Sequence, residues 1–358
     1  MPTAASASLA LFTAALCGAW LAEPNVEPNV EPRPQRRVPA EFEPHERTWM
    51  QWPRPIEYSY RPAFAEIVRN LQEFEPVDLV THNSSERQKA IDYLEAANVP
   101  LDRVTFHIHP MDSAWMRDNG PVWVRSGAKL AVQDWGFDGW GGLVNRFEND
   151  NAMPPLIAQD VGLTSYDHNS RIVERGTLEF NGDGTLITSW TCLSSRNPGV
   201  TKKTLEAELI EAFGLKRVVW LEGAPEGDVT GGHVDGIARF IDADRVVVPK
   251  YVDETDPDAD LYWQATKTLR AAGLTVLRLD VPGTVRYRGV DMAANYVNWL
   301  VANGVVLLPG FARASWDEAA RARVAEFFPG REVRVIDTRE LWYWGGAIHC
   351  VTNDQPTR

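Results

Sequence analysis

From Val38 onward the sequence alternates short β-type runs with amphipathic helical stretches, and this alternation restricts the fold more than any other feature. Three pairs of β runs are joined by tight turn signals. Asn181-Gly182-Asp183-Gly184 separates Leu178–Phe180 from Thr185–Ile187, Asp242-Ala243-Asp244 separates Ile237–Ile241 from Val246–Val248, and Ala302-Asn303-Gly304 separates Trp299–Val301 from Val305–Leu307. Further strands are expected at Val77–Thr81, Val122–Arg125, Leu130–Trp135, Val218–Leu221, Leu274–Leu279 and Glu332–Ile336, with Gly236–Pro249 and Asn298–Pro309 as the longer extended stretches. Apolar residues spaced by three or four predict helices over Ala63–Phe74, Glu86–Ala97, Lys202–Phe213, Ala259–Ala272 and Trp316–Phe328, with Thr201 and Ser315 as N-caps and Gly214 and Gly273 as stops. A hairpin followed by a helix and another strand, repeated along the chain, implies an α/β protein, arranged either as modules around an axis or as a layered sandwich.

Residues 1–37 differ from the rest. Ala4–Ala22 carries no charge, and a tandem Glu-Pro-Asn-Val repeat and a Pro-rich stretch follow. This reads as a signal peptide plus linker ahead of a single domain over 38–358, which makes the protein exported or periplasmic if the segment is cleaved and cytoplasmic otherwise. The run is too short and too rich in Ala, Ser and Thr for a stable membrane anchor. A net charge of −13 argues against general nucleic-acid binding and suits a small cationic partner. Three cysteines, Cys17, Cys192 and Cys350, make neither a disulfide framework nor a zinc knuckle.

The polar residues collect in a few places. Met111–Pro121 is a polar run before a strand, in which Trp115 and Asp118 suit a flat cation through ring attraction and charge-assisted hydrogen bonds, or alternatively belong to a capped turn. Glu226–Gly236 is Gly-rich, and strand alternation would turn His233 and Asp235 to one side. A metal bound by these two together with His107 and His109 matches no recognised spacing, so the latter pair is read as strand residues on a partly exposed face, and no metal or cofactor is expected. Neither a GxSxG nor a GxxxxGK[ST] element is present. Finally, Gly345-Gly346-Ala347-Ile348-His349-Cys350 sets a thiol near the end of the chain, either as a packed residue or as a nucleophile.

Taken together, Trp115–Pro121, Trp135–Gly142, Gly232–Asp235 and Gly345–Cys350 resemble the agmatine deiminase family, which includes the bacterial peptidylarginine deiminases; Val38–Glu46, Leu193–Pro198 and Asn298 extend the likeness. The resemblance implies a pentein fold of five ββαβ-type modules around a pseudo-fivefold axis. It also implies a hydrolase acting on the C–N bonds of linear amidines through a covalent S-amidino intermediate, without metal or organic cofactor. In that scheme Cys350 is the nucleophile, Asp118 and Asp235 clamp the guanidinium, and His233 is the acid and base, with Trp115, Glu174, Asp228 and Asn298 contacting substrate. Agmatine, hydrolysed to N-carbamoylputrescine and ammonia, is the expected substrate. Free or peptidyl arginine is the alternative within the family, and a non-catalytic guanidine- or polyamine-binding protein is the alternative outside it. Two departures from the family pattern bear on this: Arg175 within Glu174-Arg175-Gly176, and Val229 and Gly231 in place of polar residues. Arg175 would repel a distal amine if it faced the site and would pair with an acid if it did not. Self-association is left open by the sequence.

Overall fold

The computed structural model describes residues 36–252 and 256–358, so the expectation for residues 1–37 lies outside the described residues except at Arg36 and Arg37. One pattern recurs through the described chain. A strand pairs antiparallel with its sequence neighbour, and that neighbour pairs in parallel with a later strand reached through a helix. Thus Leu178–Phe180 pairs antiparallel with Thr185–Ser189, which pairs in parallel with Arg217–Leu221 after the helix Lys202–Phe213. The same order holds for Arg239–Phe240, Arg245–Tyr251 and Thr275–Val281, and again for Leu300–Ala302, Val305–Gly310 and Glu332–Asp337. It also holds for Val122–Ser126, Lys129–Gly136 and Ser165–Ile172, to which Arg36–Arg37 adds a short antiparallel edge. Parallel pairing of this kind needs a crossover, and the helices supply it while covering the sheet with their apolar faces. In Lys202–Phe213 that face is Leu205, Leu209, Ala212 and Phe213, all buried, with the Thr201 hydroxyl capping Thr204 N–H at 3.1 Å and Gly214 ending the helix at φ 67°.

One sheet is completed by the far end of the chain. Asn353–Pro356 pairs antiparallel with His45–Gln51, which continues in parallel to Val77–Thr81 and Val104–Ile108. This pairing draws the residues around Cys350 back onto the start of the domain. It is supported by Trp123 Nε1–H donating to Asn353 Oδ1 at 2.8 Å and Trp49 Nε1–H donating to Gln355 Oε1 at 2.8 Å, both fully buried contacts. A separate hairpin, Gly283–Tyr287 with Val290–Ala294, was not anticipated from the sequence.

Two local expectations are corrected. The helix expected at Trp316 begins at Ala314 with Arg313 at its N-cap, which places Ser315 inside the first turn and without a capping role. The extended stretch expected over Gly236–Pro249 opens instead with a 3-10 turn, Val234–Gly236, so His233 and Asp235 do not alternate along a strand.

His45 anchors the completed sheet to the neighbouring hairpin. Its Nδ1 lies 3.2 Å from Glu75 Oε1 and its Nε2 2.7 Å from Glu41 O, while Asn303 at the hairpin turn bonds both the His45 backbone and Glu75. Burial opposes the charge on this ring, but Glu75, with Asp354 and Glu41 behind it, raises the His45 pKa to about 9. A raised histidine stabilises fully below its unfolded pKa and loses that contribution as pH rises through the folded value. Urea unfolding should therefore show stability falling between about pH 6.5 and pH 10, by on the order of 3 kcal/mol from this group, with His45→Gln flattening the slope. Parallel pH slopes for wild type and variant would remove His45 from this role.

Candidate active site

Two cavities meet at Cys350. The smaller, about 260 Å³, is lined by Glu226, Asp228, Asp235, Asp291, Asn298 and His233 among others, with no lysine or arginine. The larger, about 860 Å³, is lined by Trp115, Asp118, Trp140, Tyr60, Arg54 and Arg146 among others. The thiol itself is nearly enclosed, at 6% exposure. It sits in the 3-10 turn His349–Val351, immediately before the strand that pairs with His45–Gln51. The close fit explains the glycine before it. A Cβ on Gly346 would come 2.5 Å from the Trp115 ring and 2.9 Å from Cys350 Sγ, so a side chain there would drive the indole and the thiol apart.

Asn298 seats the cysteine. Its Oδ1 accepts from Ala347 N–H at 3.1 Å and Cys350 N–H at 3.4 Å, and its Nδ2–H donates to Sγ at 3.2 Å. On another side the thiol donates to Asp235 Oδ2 at 3.6 Å. That carboxylate is held in turn by His349, whose Nδ1 lies 2.7 Å away and whose Nε2 lies 2.7 Å from Glu41 Oε2. Burial pushes the Asp235 pKa up, yet the hydrogen bond and charge of His349, followed by His233 and Arg239, bring it down to about 2.

Asp118 stands in the short helix Met116–Asn119, and its Oδ2 accepts from Trp140 Nε1–H at 2.8 Å. Trp140 reaches it from a backbone at φ 59°, in a tight Gly-rich turn closed by Asp138 Oδ1 accepting from Gly141 N–H at 2.6 Å. The other oxygen, Oδ1, lies 3.5 Å from His233 Nδ1, and neither buried atom has a hydrogen-bond partner among the described residues. The unpartnered Asp118 Oδ1 is an acceptor beside a cavity and marks a place where a ligand N–H is wanted, while a protonated Nδ1 offers a proton to the same place. Gly176 makes this arrangement possible, because a Cβ there would lie 2.4 Å from His233 Nδ1 and 2.6 Å from Asp118 Oδ1.

The opposite ring nitrogen of His233 faces Glu174 Oε2 at 3.1 Å. This corrects the sequence expectation that Glu174 contacts substrate. Glu174 is fully buried, and its oxygens are taken by His233, by Arg196 Nε–H at 2.7 Å and by the Cys192 thiol at 3.4 Å, so it orients the imidazole. Asp228 does line the smaller cavity, but its carboxylate is occupied by the N–H and hydroxyl of Thr230 and by Gly232 N–H, and it shapes the loop. Arg175 turns into the protein and pairs with Asp354 at 2.8 Å, which removes its charge from the cavities. His107 and His109 gather with Asp160, apart from His233 and Asp235, so the four-ligand metal arrangement weighed from the sequence does not form. Sequence reasoning missed Glu41, His349, Trp140, Arg196 and Arg239. Of these, Glu41, Trp140, Arg196 and His349 fall inside the stretches that carry the family likeness, and Arg239 lies outside them.

The charges around the void are unbalanced in a specific way. Burial, then Asp235 and Asp118, push the Cys350 thiol well up, which disfavours thiolate while the site lacks a cation. Burial also raises Asp118 to about 6, with His233 opposing that shift and Asp235 and Glu174 adding to it. His233 is lowered by burial but carried well above the usual histidine range by Asp118, Cys192 and Glu174, so it is an imidazolium at neutral pH. A planar cation placed between the two carboxylates satisfies both and relieves the thiol.

The raised Asp118 has a measurable consequence. Only its ionised form attracts a guanidinium, so the Kd of an unreactive guanidinium ligand, measured by calorimetry, should increase as pH falls through about 6. Asp118→Asn should bind more weakly at neutral pH and lose that pH step. An unchanged step in the variant would assign it to another group.

The sequence matches the model of the Porphyromonas-type peptidyl-arginine deiminase family over residues 37–356. It is 30% identical to the agmatine deiminase of Ectopseudomonas mendocina (strain ymp) over 356 residues, covering 89% of this chain and 95% of that protein. The solved agmatine deiminase of Enterococcus faecalis superposes with a TM-score of 0.82 at 26% identity, covering 90% of this chain and 96% of that one. The C. jejuni agmatine deiminase solved with substrate bound gives a TM-score of 0.81 at 25% identity, with 90% and 96% covered. These structures share the mixed α/β fold described above. The matched stretch runs from before Glu41 to beyond Asp354 and takes in every residue of the site, and the chain belongs to the Porphyromonas-type peptidyl-arginine deiminase family.

Proposed function

We propose that this protein hydrolyses agmatine to N-carbamoylputrescine and ammonia, with Cys350 as nucleophile. The observation that carries this reading is the smaller cavity reaching Cys350, where Glu226, Asp228, Asp235 and Asp291 supply negative charge and no lysine or arginine in the lining opposes a second positive end on the substrate. The agmatine deiminases to which the chain is similar support the same substrate.

The reaction follows from the site's charges. The guanidinium lies between Asp118 and Asp235, and its positive charge cancels the field that holds the thiol protonated. Cys350 gives up its S–H proton to solvent as the cation enters, and the thiolate Sγ adds to the guanidinium carbon and forms a C–S bond. His233, oriented through Nε2 by Glu174, gives its Nδ1 proton to the departing nitrogen, the C–N bond breaks and ammonia leaves. Water then enters. His233 takes one proton from it as its oxygen attacks the S-amidino carbon, the C–S bond breaks, the second proton of the water leaves to solvent as the ureido C=O forms, and the product departs with the thiolate restored. Asn298 Nδ2–H, 3.2 Å from Sγ, stabilises the thiolate at both ends of the cycle.

We also propose that the recurring sheet units stand around a pseudo-fivefold axis with the site at its centre, and that residues 1–37 are an export leader and linker ahead of one catalytic domain over 38–358. The recurrence of one strand order supports the first of these, and the composition of residues 1–37 supports the second.

A second reading, deimination of free or C-terminal arginine, is favoured by one observation. Arg146 lines the larger cavity without an ion-pair partner among the described residues and suits a substrate carboxylate. Ammonia release decides between them. The kcat/KM should be highest for agmatine and lower for arginine and for peptides ending in arginine, Cys350→Ala should abolish turnover, and His233→Ala should lower kcat by about 100- to 10,000-fold. A higher kcat/KM for a carboxylate-bearing substrate would replace agmatine with the second reading.

A further inference from the structure

We propose that His107, His109 and Asp160 form a second, surface site that binds one divalent transition-metal ion, with zinc as its best match, through His107 Nδ1, His109 Nε2 and Asp160 Oδ2. The three ligand atoms lie within 4.8 Å of one another, and Asp160 Oδ2 is 2.8 Å from His107 Nδ1 and 2.7 Å from His109 Nε2. His107 ends on the same side as His109 because the two are separated by one residue at the end of the edge strand Val104–Ile108. Asp160 arrives from a different part of the fold, as the last residue of the helix Met153–Asp160.

The surroundings of the cluster distinguish it from a simple surface ion pair. The second nitrogen of His107, Nε2, lies 2.8 Å from Asp78 Oδ2, and Asp78 is fully buried and paired with Arg47 at 3.0 Å. Trp49 packs against the His107 ring, with centroids 4.6 Å apart. A carboxylate behind the imidazole fixes the tautomer with Nε2–H toward Asp78, which is how metal-binding histidines are commonly oriented. In that tautomer Nδ1 is a bare acceptor that faces the Asp160 oxygen. Two acceptors at 2.8 Å repel unless a cation lies between them, and that cation is either a proton or a metal ion. Asp160 itself adds to the deficit, since a carboxylate at a helix C-terminus is opposed by the helix dipole. Two imidazoles and one carboxylate are a ligand set for zinc and its neighbours, with a remaining position open to water because all three side chains keep some exposure. Metal binding here would tie the edge of the sheet that pairs with the C-terminal strand to the helix lying over Lys129–Gly136.

Protons and metal compete for the same atoms, so binding should weaken as pH falls. The groups facing the histidines in this competition are Asp78, Asp160 and, through Asp78, Arg47.

Zinc titration of the full chain against a chromophoric chelator tests the proposal. The expected result is one saturable equivalent at pH 7.5, weaker at pH 6, with affinity reduced at least about ten-fold in His109→Gln and in Asp160→Asn and unchanged in Cys350→Ala. His109→Gln should keep the metal-free thermal midpoint and ammonia release of the wild type, which separates ligand loss from misfolding. No saturable equivalent, or equal binding by wild type, His109→Gln and Asp160→Asn, would overturn the proposal. Loss of zinc binding in Cys350→Ala would also overturn it, by placing the ion at the thiol.

Discussion

The buried carboxylate of Glu41 holds the site together. Its Oε1 accepts from Arg239 Nη2–H at 2.7 Å and Val301 N–H at 2.8 Å, and its Oε2 faces His349 Nε2 at 2.7 Å and Arg117 Nη2 at 3.3 Å. These partners come from distant parts of the chain, and each carries a second bond. Arg239 reaches Glu179 at 3.0 Å, Arg117 reaches Asp354 at 2.8 Å, and His349 reaches Asp235 at 2.7 Å. Burial would raise the Glu41 pKa, but Arg239, His349 and Arg117 hold it well below the usual carboxylate range, so it is ionised. Removing one partner from such a network strands a buried charge, a loss of about 3–5 kcal/mol. Geometry is at stake as well as stability, because His349 precedes Cys350 and also holds Asp235.

Above this charged layer the site is deliberately incomplete. Arg239, Arg117 and Arg175 neutralise Glu41 and Asp354, while Asp118 and Asp235 beside the thiol form no ion pair with a lysine or arginine among the described residues. The raised Cys350 thiol and the unpartnered Asp118 Oδ1 therefore report the same deficit of positive charge, which a guanidinium would fill, while the protonated His233 Nδ1 stands beside them as a donor. In the reaction proposed above, reactivity depends on occupancy: the thiol stays protonated while the site lacks its cation, and the substrate supplies the charge that activates it.

Local signals in the sequence were enough for the elements whose partners are near in the chain. The hairpins at Asn181–Gly184 and Ala302–Gly304 formed where turn residues marked them, and Lys202–Phe213 began and ended at its cap and glycine. Elements that depend on remote partners were harder to read. His45–Gln51 is a strand because Asn353–Pro356 and Val77–Thr81 flank it, and its own residues alternate poorly. The site divides in the same way. Cys350, His233, Asp118, Asp235 and Asn298 were legible as polar residues in Gly-rich or motif-like settings, and the structure brings them together. Glu174 was legible as an acid but not in its task, since its partner Arg196 becomes a neighbour only through the packing of the helix Trp190–Arg196. Glu41 and Arg239 carry no local sign that they would pair across 198 residues.

The proposed reaction requires Cys350 to become covalently bonded to the substrate's guanidinium carbon. Mass spectrometry of acid-quenched steady-state reactions with agmatine measures this directly. The expected result is a peptide containing Cys350 that carries the mass of agmatine less ammonia, present only with substrate and absent in Cys350→Ala. Turnover without any such adduct under conditions that preserve a synthetic S-alkylthiouronium standard, or an adduct on Cys192 instead, would contradict it.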